Sequence, residues 1–339
     1  MPASLPKLFD TSPESPRLVG IAKLAAEGSA LSDGHNVEYL TIGTRSILNR
    51  CTARNMPFTW TVNPYRGCEF ACKYCYARYT HEYMELRDPL SFERQIYVKQ
   101  DVAGQTRRDL KRVKRGEEIA IGTATDPYQP AERRYRATRQ ILEVLAERPG
   151  LNIGIITKSN LILRDADLLR QIAKQSDLGV TLTITTLNTD LARILEPRAP
   201  RPDLRLDAMR QLALLGIRTG VSCAPVIPGI TDAPRDLEAV IKAAKEAGAH
   251  YLFANPLNLR PGSAAVFLPF LEKEFPDLMA KYSERYGKRV YVEKAYQQRI
   301  TALVRALKRK HGLVSHHREH PLEEEPPIMK AAQDQMSLF

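Results

Sequence analysis

Residues 63–79 read NPYRGCEFACKYCYARY and carry three of the five cysteines in a chain of 339 residues. Cys68, Cys72 and Cys75 are spaced Cys-x3-Cys-x2-Cys, close enough for their thiolates to wrap one soft metal centre. Zinc, an iron–sulfur cluster and three unrelated thiols compete as readings. Structural zinc takes four protein ligands, usually as two Cys or His pairs. Here Cys51, His81 or Cys223 would have to complete the tetrahedron, and none has paired spacing. A cubane iron–sulfur cluster has four irons, so three thiolates leave one iron open. An open iron can bind a small chelating molecule and pass it an electron, which a structural clip does not need.

Three further stretches present polar or rigid groups. In GTATDPYQPAE, residues 122–132, Thr123, Thr125 and Asp126 end a strand pattern and two prolines fix the loop that follows. A plain Asp-Pro turn is the alternative. Lys158 ends the apolar run NIGIITK, either as a solvated strand-end lysine or as a cation that neutralises a carboxylate beside a metal centre. In CAPVIPGITD, residues 223–232, Pro225, Pro228 and Gly229 permit a flat group to approach the backbone, or they form a proline-rich turn.

These residues need a frame. From about residue 57 to residue 259 short β-branched runs alternate with amphipathic helical stretches, the pattern of parallel βαβ units. The expected strands are FTWTVN, QIYVKQ, EIAIGTA, NIGIITK, GVTLTITTL, TGVSCAPVI and HYLFANPL. Between the later ones lie helices such as RLDAMRQLALLG and PRDLEAVIKAAKEAGA, with apolar residues three or four apart. Leu237, Val240, Ile241 and Ala244 share a face of the last helix, and Gly216 and Gly248 stand where helix C-caps belong. Six or more such units without an early glycine-rich dinucleotide turn point to a full or partial (β/α) barrel. On that architecture chemistry sits in the loops after the strands, and the three cysteines follow the first expected strand.

Composition excludes little but orients the reading. A hydrophobic share of 43% and a charged share of 26% are those of an ordinary globular chain. No run approaches the ~18 apolar residues of a membrane span, and the start MPASLPKLFDTSPESPRL lacks the charged and apolar blocks of a leader. Five cysteines, three of them crowded, fit a reducing cytoplasm better than a disulfide framework. A net charge of +11 suggests a polyanionic partner. Its densest piece, RRDLKRVKRGEE, places Arg107, Arg108, Lys111, Arg112, Lys114 and Arg115 on one helix, as a nucleic-acid contact or as a solvated face. The expected organisation is an N-terminal extension over 1–55, partly disordered or wrapping the barrel, then the barrel over 56–260, a helical extension over 261–312 and a flexible tail over 313–339.

The cysteine spacing, with aromatic Tyr74 just before the last cysteine, resembles the signature of the radical S-adenosylmethionine (SAM) superfamily. That resemblance implies an α/β fold of the partial (β/α)6 TIM-barrel type. It also implies a [4Fe–4S] cluster held by Cys68, Cys72 and Cys75, and SAM chelated at the open iron. Reductive cleavage of SAM there yields methionine and a 5′-deoxyadenosyl radical that abstracts a hydrogen from substrate. NPYRGCEFACKYCYAR, GTATDPYQPAE, TKSN, LEPRAPRPDLRLDAMRQLALLGI and APVIPGITD are similar to motifs of the spore photolyase branch, and they span roughly residues 58–260. By that likeness Tyr76, Thr125, Asp126, Lys158, Thr183 and Ala224 contact SAM, with Lys158 neutralising its carboxylate. Tyr74 and Tyr76 lie by the cluster and relay the radical. The implied function is repair of DNA lesions or action on modified nucleic acid, with an external electron donor for the cluster and no membrane partner. A radical SAM enzyme modifying RNA or a protein side chain is the second reading, and a zinc-stabilised nucleic-acid-binding module is the third.

The chain departs from the branch at one telling place. Where spore photolyase has a hydrogen-donating cysteine, this sequence has Thr123, and an alcohol O–H is a far poorer hydrogen-atom donor than a thiol. Cys223, beside Ala224, is the candidate thiol from another direction, and Cys51 is read as a packed thiol. No Gly-Gly-Glu-like segment for the SAM amino group is evident, and Asp126 is its candidate substitute. His316, His317 and His320 are read as part of a solvated linker. The end QMSLF, Gln335, Met336, Ser337, Leu338 and Phe339, resembles the short peptide by which bacterial repair proteins dock on the sliding clamp; a self-packed tail is the alternative.

Overall fold

The computed structural model describes residues 18–34, 36–53, 56–287 and 289–314. Among them eleven strands are defined: β1 (Ala30–Gly34), β2 (Val37–Ile42), β3 (Leu48–Arg50), β4 (Trp60–Val62), β5 (Tyr65–Arg66), β6 (Gln95–Lys99), β7 (Glu118–Ile121), β8 (Asn152–Thr157), β9 (Asp177–Thr183), β10 (Arg218–Val226) and β11 (Ala249–Pro256). Seven form one sheet in the order β11-β10-β9-β8-β7-β4-β3. Its six strands from β4 to β11 are parallel and sequential, and β3 lies antiparallel on the β4 edge. Sequential parallel strands joined by helical crossovers, with the two ends of the sheet unpaired to each other, make the partial (β/α)6 barrel.

The strands read as near-continuous apolar runs because both faces are covered. In β9 every residue after Asp177 is buried. The helix Pro234–Glu246 shows the matching logic. Proline at its first turn suits a position whose N–H needs no partner, and Leu237, Val240, Ile241 and Ala244 form its buried stripe. The chain leaves this helix and the preceding Pro202–Leu214 helix through Gly248 (φ 94°) and Gly216 (φ 78°), the left-handed positions that the sequence reading assigned to them.

QIYVKQ, read above as a barrel strand, departs from expectation. It becomes β6 of a separate four-stranded sheet ordered β1-β2-β6-β5. After β4 the chain turns at Asn63-Pro64 into β5, which pairs antiparallel with β6, while β2 flanks β6 in parallel. Strand periodicity is the same in either sheet, so pairing alone decides membership. The described residues before the barrel are also more regular than their composition suggested, with a helix at Gly20–Ala26 and three strands. Ala25, Ile42, Met84 and Tyr97 form a small core of their own there. Three helices, Pro261–Glu274, Met279–Tyr286 and Lys294–His311, follow β11, after which Val314 bridges Tyr251 on the open edge of β11.

The basic run of helix Val102–Leu110 leads into the N-terminal end of β7, the end of the sheet opposite the loops that follow the strands. Arg107, Arg108 and Arg112 are paired with Glu147, Asp101 and Asp109. Both facts favour the solvated-face reading of this run. No helix among the described residues is long and apolar enough to cross a membrane. His316, His317, His320 and the terminal Gln335, Met336, Ser337, Leu338 and Phe339 lie outside the described residues.

Candidate active site

The cysteine loop leaves β5 through Gly67, whose φ is 83°; a Cβ there would stand 2.7 Å from the Gln95 carbonyl oxygen and 2.8 Å from that of Phe92. Only glycine fits so close a crossing. The loop is then tied on three sides. Cys68 N donates to the Phe92 carbonyl at 2.9 Å, Lys73 N to that of Leu195 at 2.9 Å, and Arg198 N to that of Phe70 at 3.3 Å. Gln129, fully buried beyond β7, accepts from Glu69 N at 3.0 Å and donates to Gly67 O at 3.1 Å. Arg78, also fully buried, donates to Cys72 O at 3.0 Å and pairs with Glu93 at 2.6 Å.

The three thiols are free of disulfides. Burial pushes the Cys68 thiol well above its usual range, and the charges of Asp126, Cys72 and Cys75 push the same way. Cys72 is pushed up to about 12, chiefly by burial, with Lys158 and Arg205 pulling it down. A cationic centre bound by these thiols would reverse that preference. Among the described residues no three His, Cys, Asp or Glu side chains converge on a single metal-ion position. Three free thiols on one loop are a donor set that fits a four-iron cluster, whose thiolates sit on different irons.

Lys158, just past β8, holds its Nζ 5.6 Å from the centre of the Tyr74 ring. Burial alone would lower its pKa, but the neighbouring acidic groups Cys72, Glu196 and Asp126 raise it above the ordinary lysine value. Tyr74 donates its hydroxyl to Glu196, and Glu196 pairs with Arg205, all three buried. Arg205 also donates to the carbonyls of Thr183 at 2.9 Å and Pro200 at 2.7 Å. Thr183 therefore reaches the cysteine loop through its backbone oxygen and this arginine. Glu196 stays ionised, because the Arg205 and Lys158 cations outweigh its burial.

Other expected residues serve the loop in ways their types did not disclose. Thr125 donates to Gly67 O at 2.5 Å and accepts from Gln129 at 2.9 Å, so its hydroxyl holds the cysteine loop. Asp126 accepts from Tyr128 N at 2.9 Å, Thr157 Oγ1 at 2.6 Å and Lys158 N at 2.7 Å, clamping the ends of β7 and β8 together. Its carboxyl is pushed up by burial against the pull of these hydrogen bonds. Exposed Tyr76 donates to the Thr123 carbonyl, and the Thr123 hydroxyl accepts from Asn63 at 3.1 Å. Cys223 and Ala224 follow Ser222, the residue of β10 that is in register with Thr183. Cys223 is buried, which pushes its thiol up to about 12, and Ala224 is half-buried.

Glu196, Arg205 and Gln129 escaped the sequence reading. One signal was available: Arg205, Ala208, Met209 and Leu212 fall on one buried helical stripe, and a guanidinium on an apolar stripe requires an acidic partner.

An open (β/α)6 barrel with a three-thiol loop after its first strand defines a class before any comparison. The sequence profile of the radical SAM superfamily matches residues 62–249. This chain belongs to the radical SAM superfamily, whose members are enzymes that use a [4Fe–4S] cluster and SAM. It is 35% identical over 287 residues to an uncharacterised protein of Mycobacterium bovis, covering 84% of each chain. It is 31% identical over 234 residues to an uncharacterised protein of Methanocaldococcus jannaschii, covering 69% of this chain and 83% of the relative. Its fold is that of spore photoproduct lyase, with a TM-score of 0.60 over 80% of this chain and 79% of the other at 15% identity, in a structure holding AdoMet and dinucleoside spore photoproduct.

Proposed function

We propose that this chain cleaves SAM reductively at a cluster held by Cys68, Cys72 and Cys75, and that its substrate is nucleic acid, a damaged or modified DNA base in the first place. The observation that carries the chemistry is the buried cysteine loop facing Lys158, at the C-terminal ends of the parallel strands. When bound, the cluster supplies an electron that splits SAM into methionine and a 5′-deoxyadenosyl radical. Lys158 is placed to neutralise the SAM carboxylate, a charge-assisted contact inside a half-buried site. Arg205 and Glu196 fix Tyr74, and Gln129 with Thr125 fixes the loop backbone, so the thiols are held before any metal arrives. Asp126, with both carboxylate oxygens engaged by the chain, acts on SAM chiefly through the strand ends it clamps. Ala224, half-buried on β10, is the proposed backbone contact for the adenine. Tyr76 and Tyr74 stand for the radical relay and Cys223 for the returning thiol, since the Thr123 hydroxyl, which accepts from Asn63, is an alcohol and a far poorer hydrogen-atom donor than a thiol.

The nucleic-acid half of the reading rests on charge. Lys73, Arg198 and Arg260 lie in loops on the strand C-terminal side, where a phosphate backbone crossing the mouth would meet them. Spore photoproduct lyase, the fold neighbour, was solved with a dinucleoside lesion. An external donor must reduce the cluster. The test is anaerobic: iron and sulfide are counted after reconstitution, and the reduced protein is followed with SAM by electron paramagnetic resonance and by 5′-deoxyadenosine. Four irons per chain and a SAM-perturbed signal, both lost in Cys72→Ala, are expected. Stoichiometric zinc without SAM cleavage would overturn the reading. Affinity for DNA indifferent to added salt would remove the DNA half and leave modification of RNA or of a protein side chain as the alternative.

A further inference from the structure

Residues from both sheets line a partly open pocket of about 20 Å³. Arg66 and Lys99 line it together with Asn49, Asn63 and Thr80. Both cations are more than nine-tenths buried, at 8% and 7% exposure. Among the described residues the Lys99 ammonium makes no hydrogen bond and no ion pair. The acid whose charge acts on it is Asp109, whose carboxylate is already engaged by Ser46, Ile47 N, Leu48 N and Arg112. An ammonium taken out of water without an opposite charge is costly, and the Arg66 charge beside it adds to that cost.

We propose that this pocket is an oxyanion subsite in which Lys99 and Arg66 grip one oxygen of a phosphate group. A cavity of this size admits one water-sized group, so a single phosphate oxygen enters while the rest of the group sits at the mouth. A guanidinium beside an ammonium matches the oxyanion in charge and donors. The Lys99 pKa is pushed down to about 7, by burial first and then by the Arg66 charge, with Asp109 pulling weakly upward. An amine so disposed gains its proton fully when an anion arrives. The phosphate is either a backbone phosphate of the proposed nucleic-acid substrate, in which case the subsite deepens that reading, or a free inorganic phosphate. Asn63 forms a wall of the pocket and also holds Thr123 and Ala124 N, so an occupant would sit one residue from the strand end on which Tyr76 rests.

The test needs no cluster. Inorganic phosphate is titrated calorimetrically into the full-length chain at constant ionic strength set by sodium chloride, alongside Lys99→Arg and Lys99→Met. Saturable binding in the wild type, kept by Lys99→Arg and weakened about tenfold or more in Lys99→Met, is expected from loss of one charge-assisted hydrogen bond. Methionine preserves the shape and removes a buried charge, so this variant should fold. Should it not, thermal unfolding of the wild type in phosphate against equal ionic strength of chloride decides, with a phosphate-specific rise in Tm expected. Equal effects of the two salts, or undiminished binding by folded Lys99→Met, overturn the subsite. A short single-stranded oligodeoxynucleotide that competes with phosphate identifies the backbone as the source, whereas phosphate binding without competition identifies a free anion. Loss of phosphate binding with 5′-deoxyadenosine formation intact separates failure here from failure of the proposed function.

Discussion

Each side chain near the thiols is defined by what it neutralises. Glu196 faces Arg205, Lys158 and Tyr74 at once, in a place where none of the four could be charged alone at low cost. Glu196→Gln would leave Arg205 buried without its counter-charge, and a loss of about 3–5 kcal/mol is expected in urea unfolding. A loss below about 1 kcal/mol would mean that water reaches the pair. Tyr76 is different, because it is exposed and its hydroxyl rests on a carbonyl. On the proposed relay, Tyr76→Phe should leave cluster content and 5′-deoxyadenosine formation near wild type while slowing hydrogen-atom return to the product radical, read as a fall in product per deoxyadenosine. Lys158→Met should weaken SAM binding about tenfold or more, as expected for one charge-assisted contact, without changing the iron count.

At the scale of elements, the loop between β5 and the first helical turn is held by backbone crossings more than by side chains. Gly67→Ala is expected to displace the Phe92–Gln95 backbone, because the new methyl would overlap two carbonyl oxygens in a conformation that disfavours any side chain. The expected outcome is a chain that still unfolds cooperatively but takes up less iron on reconstitution; full iron content at unchanged stability would refute the crossing argument. The β6 strand illustrates the limit of local reading. Its alternation, its flanking residues and its length are those of a barrel strand, yet it pairs with β2 and β5. The Asn63-Pro64 turn directs the chain away from the barrel, but only the partner strands reveal where it goes.

For the molecule as a whole, acid should be the weak side. His81 is buried between Phe92 and Tyr97, and its pKa is held down to about 4, first by burial and then by the Arg66 and Arg78 charges. Its Nε2 faces the Gln95 carbonyl, so the neutral ring donates there. The folded pKa lies below the unfolded value of about 6.5, so the unfolded chain binds the extra proton between the two. Stability contributed by neutral His81 is complete above pH 6.5 and is lost progressively as pH falls toward 4, by about 3 kcal/mol. Urea unfolding from pH 7 to pH 4.5 should show that slope, and His81→Leu should flatten it; identical slopes would assign the acid sensitivity to carboxylates instead. Lys99 acts with the same sign at higher pH. Its folded pKa, about 7, lies below that of a free lysine, so stability rises as pH climbs above 7, and bound phosphate should flatten the rise.

The sequence by itself determined what short range can carry. Cysteine spacing is local, strand and helix periods are local, and glycine at a helix end is local, so the three-thiol loop, all six barrel strands in order, and the Gly216 and Gly248 caps were legible in the residues, with β6 wrongly counted among the barrel strands. Tertiary structure decided which charges meet. Glu196 and Tyr74 are 122 residues apart, and Lys99 and Arg66 face one another across two short strands, contacts that no period encodes. It also decided what Thr125 and Asp126 do. Their types announced a polar strand end, but a hydroxyl or carboxylate has several lone pairs and no preferred partner until folding brings the Gly67 carbonyl and the Lys158 amide within 2.5 and 2.7 Å.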